Sequence, residues 1–144
     1  MTINIKNFLN DKTKLSKMGE FQNLKQMEGL EMSSVSADLY GNGRDDISLF
    51  YFKDGANYAS LTTTNSIISE SIAWNNNSHK KTIKGLVVNT KNANTFTGKQ
   101  GKESLDVLAK NLSRFLTIRE SKSDKGTTET VKIKDLIFAS TGVI

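Results

Sequence analysis

The chain contains no cysteine and no proline, and only one histidine, His79. Without cysteine there is no disulfide, no thiolate metal site and no cysteine nucleophile. A single histidine excludes a histidine-rich metal site and makes any Ser-His-Asp triad depend on His79. That residue lies among Asn, Ser and Lys, where a solvent-exposed side chain is expected. Proline is replaced, in effect, by an abundance of Lys, Asn, Ile and Ser, which reads as a compositional bias and not as a structural signal. No run approaches the roughly 20 apolar residues of a membrane span. The N-terminal MTINIKNFLNDKTKLSKMGEF mixes charges throughout and lacks the apolar core of a signal peptide. The cytoplasm is the expected location, with no membrane partner.

What is present suits one ordinary domain: 144 residues, 36% hydrophobic and 24% charged. The net charge of +5 is uneven. Seven basic residues face nine acidic ones before His79, and thirteen face six from His79 onward. A basic half can indicate nucleic acid or anionic ligands, but a solvated lysine-rich surface explains it as well and is preferred. The Asn-x-Ser triplets at Asn76 and Asn111 match the glycosylation pattern and carry no weight in a cytosolic chain. Gly41 and Gly43 lack the third glycine of a dinucleotide fingerprint and read as a turn.

Taken in order, residues 1–31 are charged, with weak helical spacing at Phe8, Leu9, Leu15, Met18, Phe21, Leu24 and Met27. A strand is expected over 32–39, a turn over 41–46 and a strand over 47–52. A second turn over 53–57 and a strand over 58–63 would complete an antiparallel meander. A short helix is expected after Thr64-Asn65-Ser66, including Ile72, Ala73 and Trp74. The run Leu86-Val87-Val88 reads as a buried strand. Leu105, Leu108, Ala109, Leu112, Phe115 and Leu116 recur at helical spacing and predict a helix over 99–116 with this stripe in the core. A polar loop follows over 119–130, then a strand centred on 136–139.

Two strand exits stand out. After Val88 the chain turns into a loop carrying Asn89, Asn92 and Asn94 before Gly98. Side-chain amides at this density brace a loop's own backbone or hold a polar ligand. After Phe138 it turns into Ser140-Thr141-Gly142 in the same way. Without further context the second stretch would be an ordinary turn.

In order and spacing, VNTKNANTFTG over 88–98, an amphipathic helix, and ASTGVI over 139–144 resemble the N-terminal half of the glutamate/ornithine N-acetyltransferase family. That family's pattern runs approximately VNSGNANACTG, a helix, then STGVIG. LTTTN over 61–65 resembles its FTxN segment, and Asp45-Asp46 followed by Ile47 stands where it has a D-L-A-L strand. The match covers roughly 32–144, with Thr90-Lys91 in place of Ser-Gly and Thr95-Phe96 in place of Ala-Cys. Residues 1–31 match nothing in the pattern and are expected to form an extension ahead of a 32–144 domain.

The resemblance implies an α/β fold of α+β-like character. It would be an antiparallel-rich sheet with packed helices, as an incomplete part of a larger, self-processing layered sandwich. It implies an enzyme of arginine biosynthesis that cleaves its own precursor and uses the freed threonine of a second subunit as nucleophile. Acetyl would pass from N-acetylornithine to that threonine and then to glutamate, with processed subunits assembled as a heterotetramer. Thr141 and Gly142 would form the oxyanion hole, with Asn89, Asn92 and Asn94 supporting the site. No metal or cofactor is implied, apart from acetyl-CoA as a possible substrate. The nucleophile and the substrate-binding groups would lie beyond Ile144, so the chain reads as a truncated fragment that is inactive alone. A self-processing aminopeptidase of related fold is the second expectation. A non-catalytic nucleic-acid-binding module is the third; it would need stacking aromatics on the basic half, where only Phe96, Phe115 and Phe138 are available, two of them expected in the core.

Overall fold

A computed structural model describes residues 27–39, 41, 43–78, 81–123 and 130–142. The helical spacing read before Met27, and His79, lie outside the described residues.

Alternating apolar positions build a four-stranded sheet of order β1-β2-β3-β4. β1 (Leu30–Val35) pairs antiparallel with β2 (Ile47–Asn57), and β2 antiparallel with β3 (Thr82–Asn89). β4 (Leu136–Ser140) then lies parallel to β3. The period-2 pattern decides the faces. Leu49, Tyr51, Val87, Leu136 and Phe138 point to one side, where Leu105, Ala109 and Leu116 of α2 (Gly98–Ser123) close the core. Leu112 and Trp74 pack against this cluster. Leu30, Met32, Phe50, Phe52, Leu86 and Val88 share the opposite face through their register.

The structure departs from the expected elements in several places. The turn expected at 53–57 is a bulge inside one long strand. Pairing jumps from Tyr51↔Gly85 to Ala56↔Ile83, and Gly55 supplies the positive φ (80°) that lets the strand absorb extra residues and resume. The strand expected at 58–63 does not form, and Leu61 is fully exposed. The third strand of the antiparallel set is β3. The helix α2 continues to Ser123, through residues expected as loop. Its stripe is only partly core: Leu105, Ala109 and Leu116 are buried, whereas Leu108 and Phe115 are exposed. Of the three aromatics in the basic half, only Phe138 is buried.

The helix α1 (Glu70–Asn77) docks by an unusual route. Ser71, Trp74, Asn75 and the C-cap Ser78 fall at i, i+3, i+4 and i+7, one helical face. That face hydrogen-bonds the edge of β4 instead of simply burying hydrocarbon. Asn75 brackets Phe138, donating from Nδ2 to its carbonyl (2.7 Å) and accepting its N–H at Oδ1 (3.0 Å). Trp74 Nε1 donates to the Leu136 carbonyl (2.9 Å), with its ring edge-on to Phe138 at 5.2 Å. Ser78 Oγ donates to the Lys134 carbonyl (3.0 Å), and the Ser71 and Ser140 hydroxyls bond one another. A strand edge that would otherwise expose unpaired backbone groups is thereby closed. Among the described residues no helix is long and apolar enough to cross a membrane.

Candidate functional site

The parallel pairing of β3 and β4 puts Asn89 opposite Ser140. Two strand exits that stand about 50 residues apart in the chain therefore leave the sheet side by side at its C-terminal end. Loops at this end of parallel strands are where such sheets commonly hold ligands. The Thr141 N–H extends the ladder by one bond, to the Asn89 carbonyl (3.0 Å). With its N–H committed, Thr141 has its hydroxyl to offer a ligand, and Gly142 its backbone N–H. Both residues are exposed.

Gly142 has no room for a side chain. A Cβ there would stand 2.6 Å from the Asn92 nitrogen and closer still to the Lys91 carbonyl carbon, and its φ of 133° disfavours any other residue. The last described residue thus rests directly on the Lys91–Asn92 peptide.

The asparagines brace that peptide. Asn89 Nδ2 donates to the Asn92 carbonyl (2.6 Å), and Asn92 Oδ1 accepts the Asn94 N–H (2.9 Å) in an Asx turn. Asn94 Oδ1 accepts the Thr97 hydroxyl (2.6 Å), and its carbonyl accepts the Glu70 N–H at the start of α1 (3.0 Å). All three amides bond within the loop, so the structure brings Asn89, Asn92, Asn94, Thr141 and Gly142 into one assembly. Gly101, buried in the first turn of α2, lets Asn94 and Thr97 approach. A Cβ there would stand 2.7 Å from Thr97 Cβ and nearer still to the Asn94 and Thr97 side-chain oxygens.

Sequence reasoning missed the group beneath the loop. Asp46, directly ahead of β2, is 2% exposed. Its carboxylate accepts the Ala37 N–H (2.6 Å) and the Leu39 N–H (3.2 Å), and it faces Lys91 Nζ at 3.6 Å. The Ala37 N–H is the main cause holding its carboxyl below the ordinary value. The Leu39 N–H and Lys91 add to this, against the desolvation that pushes the other way. The signal for it was an acidic residue directly ahead of an apolar strand, with a lysine in the loop opposite.

Among the described residues no cluster of three or more His, Asp or Glu side chains could hold a metal ion. An open cleft of about 690 Å³ lies between α1, α2 and residues 130–134, lined by Trp74, Leu105 and Val131 and rimmed by Lys102 and Asp106. It shares no residue with the paired strand exits.

The family model described as the ArgJ family matches residues 31–144. The arginine biosynthesis bifunctional protein ArgJ of Caulobacter vibrioides is 27% identical over 128 residues, covering 86% of this chain and 28% of that protein. The ArgJ protein of Zymomonas mobilis is 32% identical over 94 residues, covering 65% and 23% respectively. The chain thus spans about a quarter of the length of these curated relatives. A crystal structure of ornithine acetyltransferase from Mycobacterium tuberculosis, complexed with ornithine, superposes with a TM-score of 0.66 at 22% identity, covering 81% of this chain and 57% of that one. The ArgJ structure from Bacillus halodurans gives 0.61 at 18% identity, covering 81% and 55%. These two share the fold, of which the sheet and helices described above form a part.

Proposed function

The chain belongs to the ArgJ family, and from that membership we propose that it supplies the oxyanion-stabilising part of an acetyltransferase acting on N-acetylornithine and glutamate. In acyl transfer a nucleophile attacks the acetyl carbonyl, whose oxygen becomes an anion while the carbon is tetrahedral. The C–N bond to ornithine then breaks and leaves an acetyl-enzyme, which the glutamate amine attacks through a second such intermediate. Each passage needs fixed hydrogen-bond donors where the negative charge develops. The Thr141 hydroxyl and the Gly142 N–H are the proposed pair. Asn89, Asn92 and Asn94 act indirectly, by keeping the loop beneath Gly142 in one shape.

The observation that carries the reading is the close seating of Gly142 on the Lys91–Asn92 peptide, next to a Thr141 anchored to Asn89. Rigid donors stabilise an oxyanion without reorganising as charge appears, and a residue packed this tightly cannot rotate its N–H away. The threonine nucleophile and the substrate-binding groups belong to the part of the family's length that the chain does not span. They would arrive with a second processed subunit, in a heterotetramer, so the 144 residues by themselves do not turn over. No cofactor enters the reaction; acetyl-CoA would serve only as an alternative acetyl donor. The test is acetyl transfer from N-acetylornithine to glutamate by the full gene product that carries this chain. Glutamate-dependent release of ornithine with ping-pong kinetics is expected. Absence of transfer in folded full-length protein overturns the proposal.

A further inference from the structure

Lys91 stands in left-handed backbone conformation, with φ of 74°. An L-residue with a Cβ pays for that region where glycine does not, and the pattern that residues 88–98 resemble has glycine at this place. At Lys91 that conformation is accompanied by an ion pair. The lysine Nζ is 3.6 Å from Asp46 Oδ2, with the carboxylate wholly removed from solvent and the lysine side chain 18% exposed. Asp46 is itself immobilised: its carboxylate takes the Ala37 and Leu39 N–H groups. Its backbone N–H donates to the Val35 carbonyl (3.1 Å), and its carbonyl accepts the Thr90 N–H (2.8 Å). One residue thus joins the end of β1, the start of β2 and the loop leaving β3.

The peptide this pair orients is the one beneath Gly142. The atoms nearest to the missing Cβ of Gly142 are the Lys91 carbonyl carbon, the Asn92 nitrogen and Lys91 Cα. We propose that Asp46 and Lys91 are positioning residues of the site: their ion pair fixes the Lys91–Asn92 peptide, and that peptide fixes the direction of the Gly142 N–H. The inference rests on Thr141 and Gly142 being the oxyanion donors. In this chain a charge pair does the work that glycine's freedom does in the family pattern.

The test uses the full gene product and the variant Lys91→Met, which keeps an unbranched side chain out to Cε, removes the charged Nζ and leaves the backbone partners of Asp46 in place. A donor displaced by about an ångström costs on the order of 100-fold in rate. The kcat is therefore expected to fall about 10- to 100-fold with KM within about twofold. Lys91→Gly, which holds a positive φ without a brace, is expected to recover most of that loss. In the Thr141→Ala background Lys91→Met should cost less than about threefold, because the donor set it orients is already broken. A purely structural brace would lower the melting temperature and give the same fold-change in both backgrounds. If Lys91→Met yields no folded protein, Asp46→Asn is read by the same criteria. Unchanged kcat, or a loss equal in both backgrounds, overturns the inference. Thr141→Ala with full turnover instead overturns the oxyanion reading on which it rests, so the two failures are distinguishable.

Discussion

Replacing a helical glycine by alanine usually stabilises a protein, by about 1 kcal/mol in a helix interior. At Gly101 the sign should reverse. Gly101 lies in the first turn of α2, and its backbone N–H donates to the Thr97 carbonyl at 3.4 Å. The added methyl would stand 2.7 Å from Thr97 Cβ, closer than real Cβ atoms approach, and would meet the Thr97 and Asn94 side-chain oxygens sooner. Rotating Thr97 cannot remove the clash with its Cβ, so the backbone must move. The Thr97–Asn94 hydrogen bond at 2.6 Å would be lost with it. That bond is worth about 1 kcal/mol, and overpacking costs about 1–3 kcal/mol more. Set against the propensity gain, Gly101→Ala should destabilise by roughly 1–3 kcal/mol. Urea unfolding followed by fluorescence of the single tryptophan, Trp74, reads this directly. Thr97→Ala removes one of the clashing oxygens, so the double variant should cost about 1 kcal/mol less than the two single losses added. A Gly101→Ala protein more stable than the parent would refute the packing described at this turn.

Three further outcomes follow from other contacts. Asn75→Ala leaves both backbone groups of the buried Phe138 without their partners, and should cost about 2–4 kcal/mol in the same unfolding experiment; a loss under about 0.5 kcal/mol would mean that α1 does not seal the β4 edge. The Asp46 carboxyl is depressed in the folded chain, so its contribution to stability is complete above the unfolded value of about 3.9 and is lost as pH falls through the folded value. The slope of stability against pH below about pH 4 should therefore flatten in Asp46→Asn, and an unchanged slope would count against the buried carboxylate. Gly142→Ala must push the Lys91–Asn92 peptide away by about an ångström, and in the full gene product should lower acetyl transfer on the order of 100-fold; unaltered turnover would contradict the close seating.

The elements that apolar spacing could show were those that bury hydrocarbon. Leu105, Ala109, Leu112 and Leu116 mark α2 because they send their apolar atoms to one core, and within Leu86-Val87-Val88 it is Val87 that joins them, its two neighbours being half-buried on the other face of β3. The helix α1 was legible only as a short helix, and its docking face was not, since Ser71 and Asn75 reach β4, and Ser78 the turn ahead of it, through hydrogen bonds. The turn at 53–57 was misread because glycine serves equally for a turn and for a bulge, and only the partner strand decides between them. The two strand exits were visible as residue types and as a family resemblance, but their adjacency depends on a parallel pairing made across α2. Asp46 was visible in the sequence only as an acidic residue ahead of an apolar strand, not as a part of the site. Its importance arises from Ala37 and Leu39, after β1, and Lys91, after β3, converging on it from two distant segments.

The central claim, that Thr141 and Gly142 stabilise the oxyanion, is tested most directly by the kcat of Thr141→Ala beside that of Thr141→Ser in the full gene product, with N-acetylornithine and glutamate as substrates. Serine keeps the hydroxyl and should retain most of the rate, whereas alanine should lose roughly 100- to 1000-fold with the melting temperature unchanged. Equal turnover in the alanine variant and the parent would contradict the account.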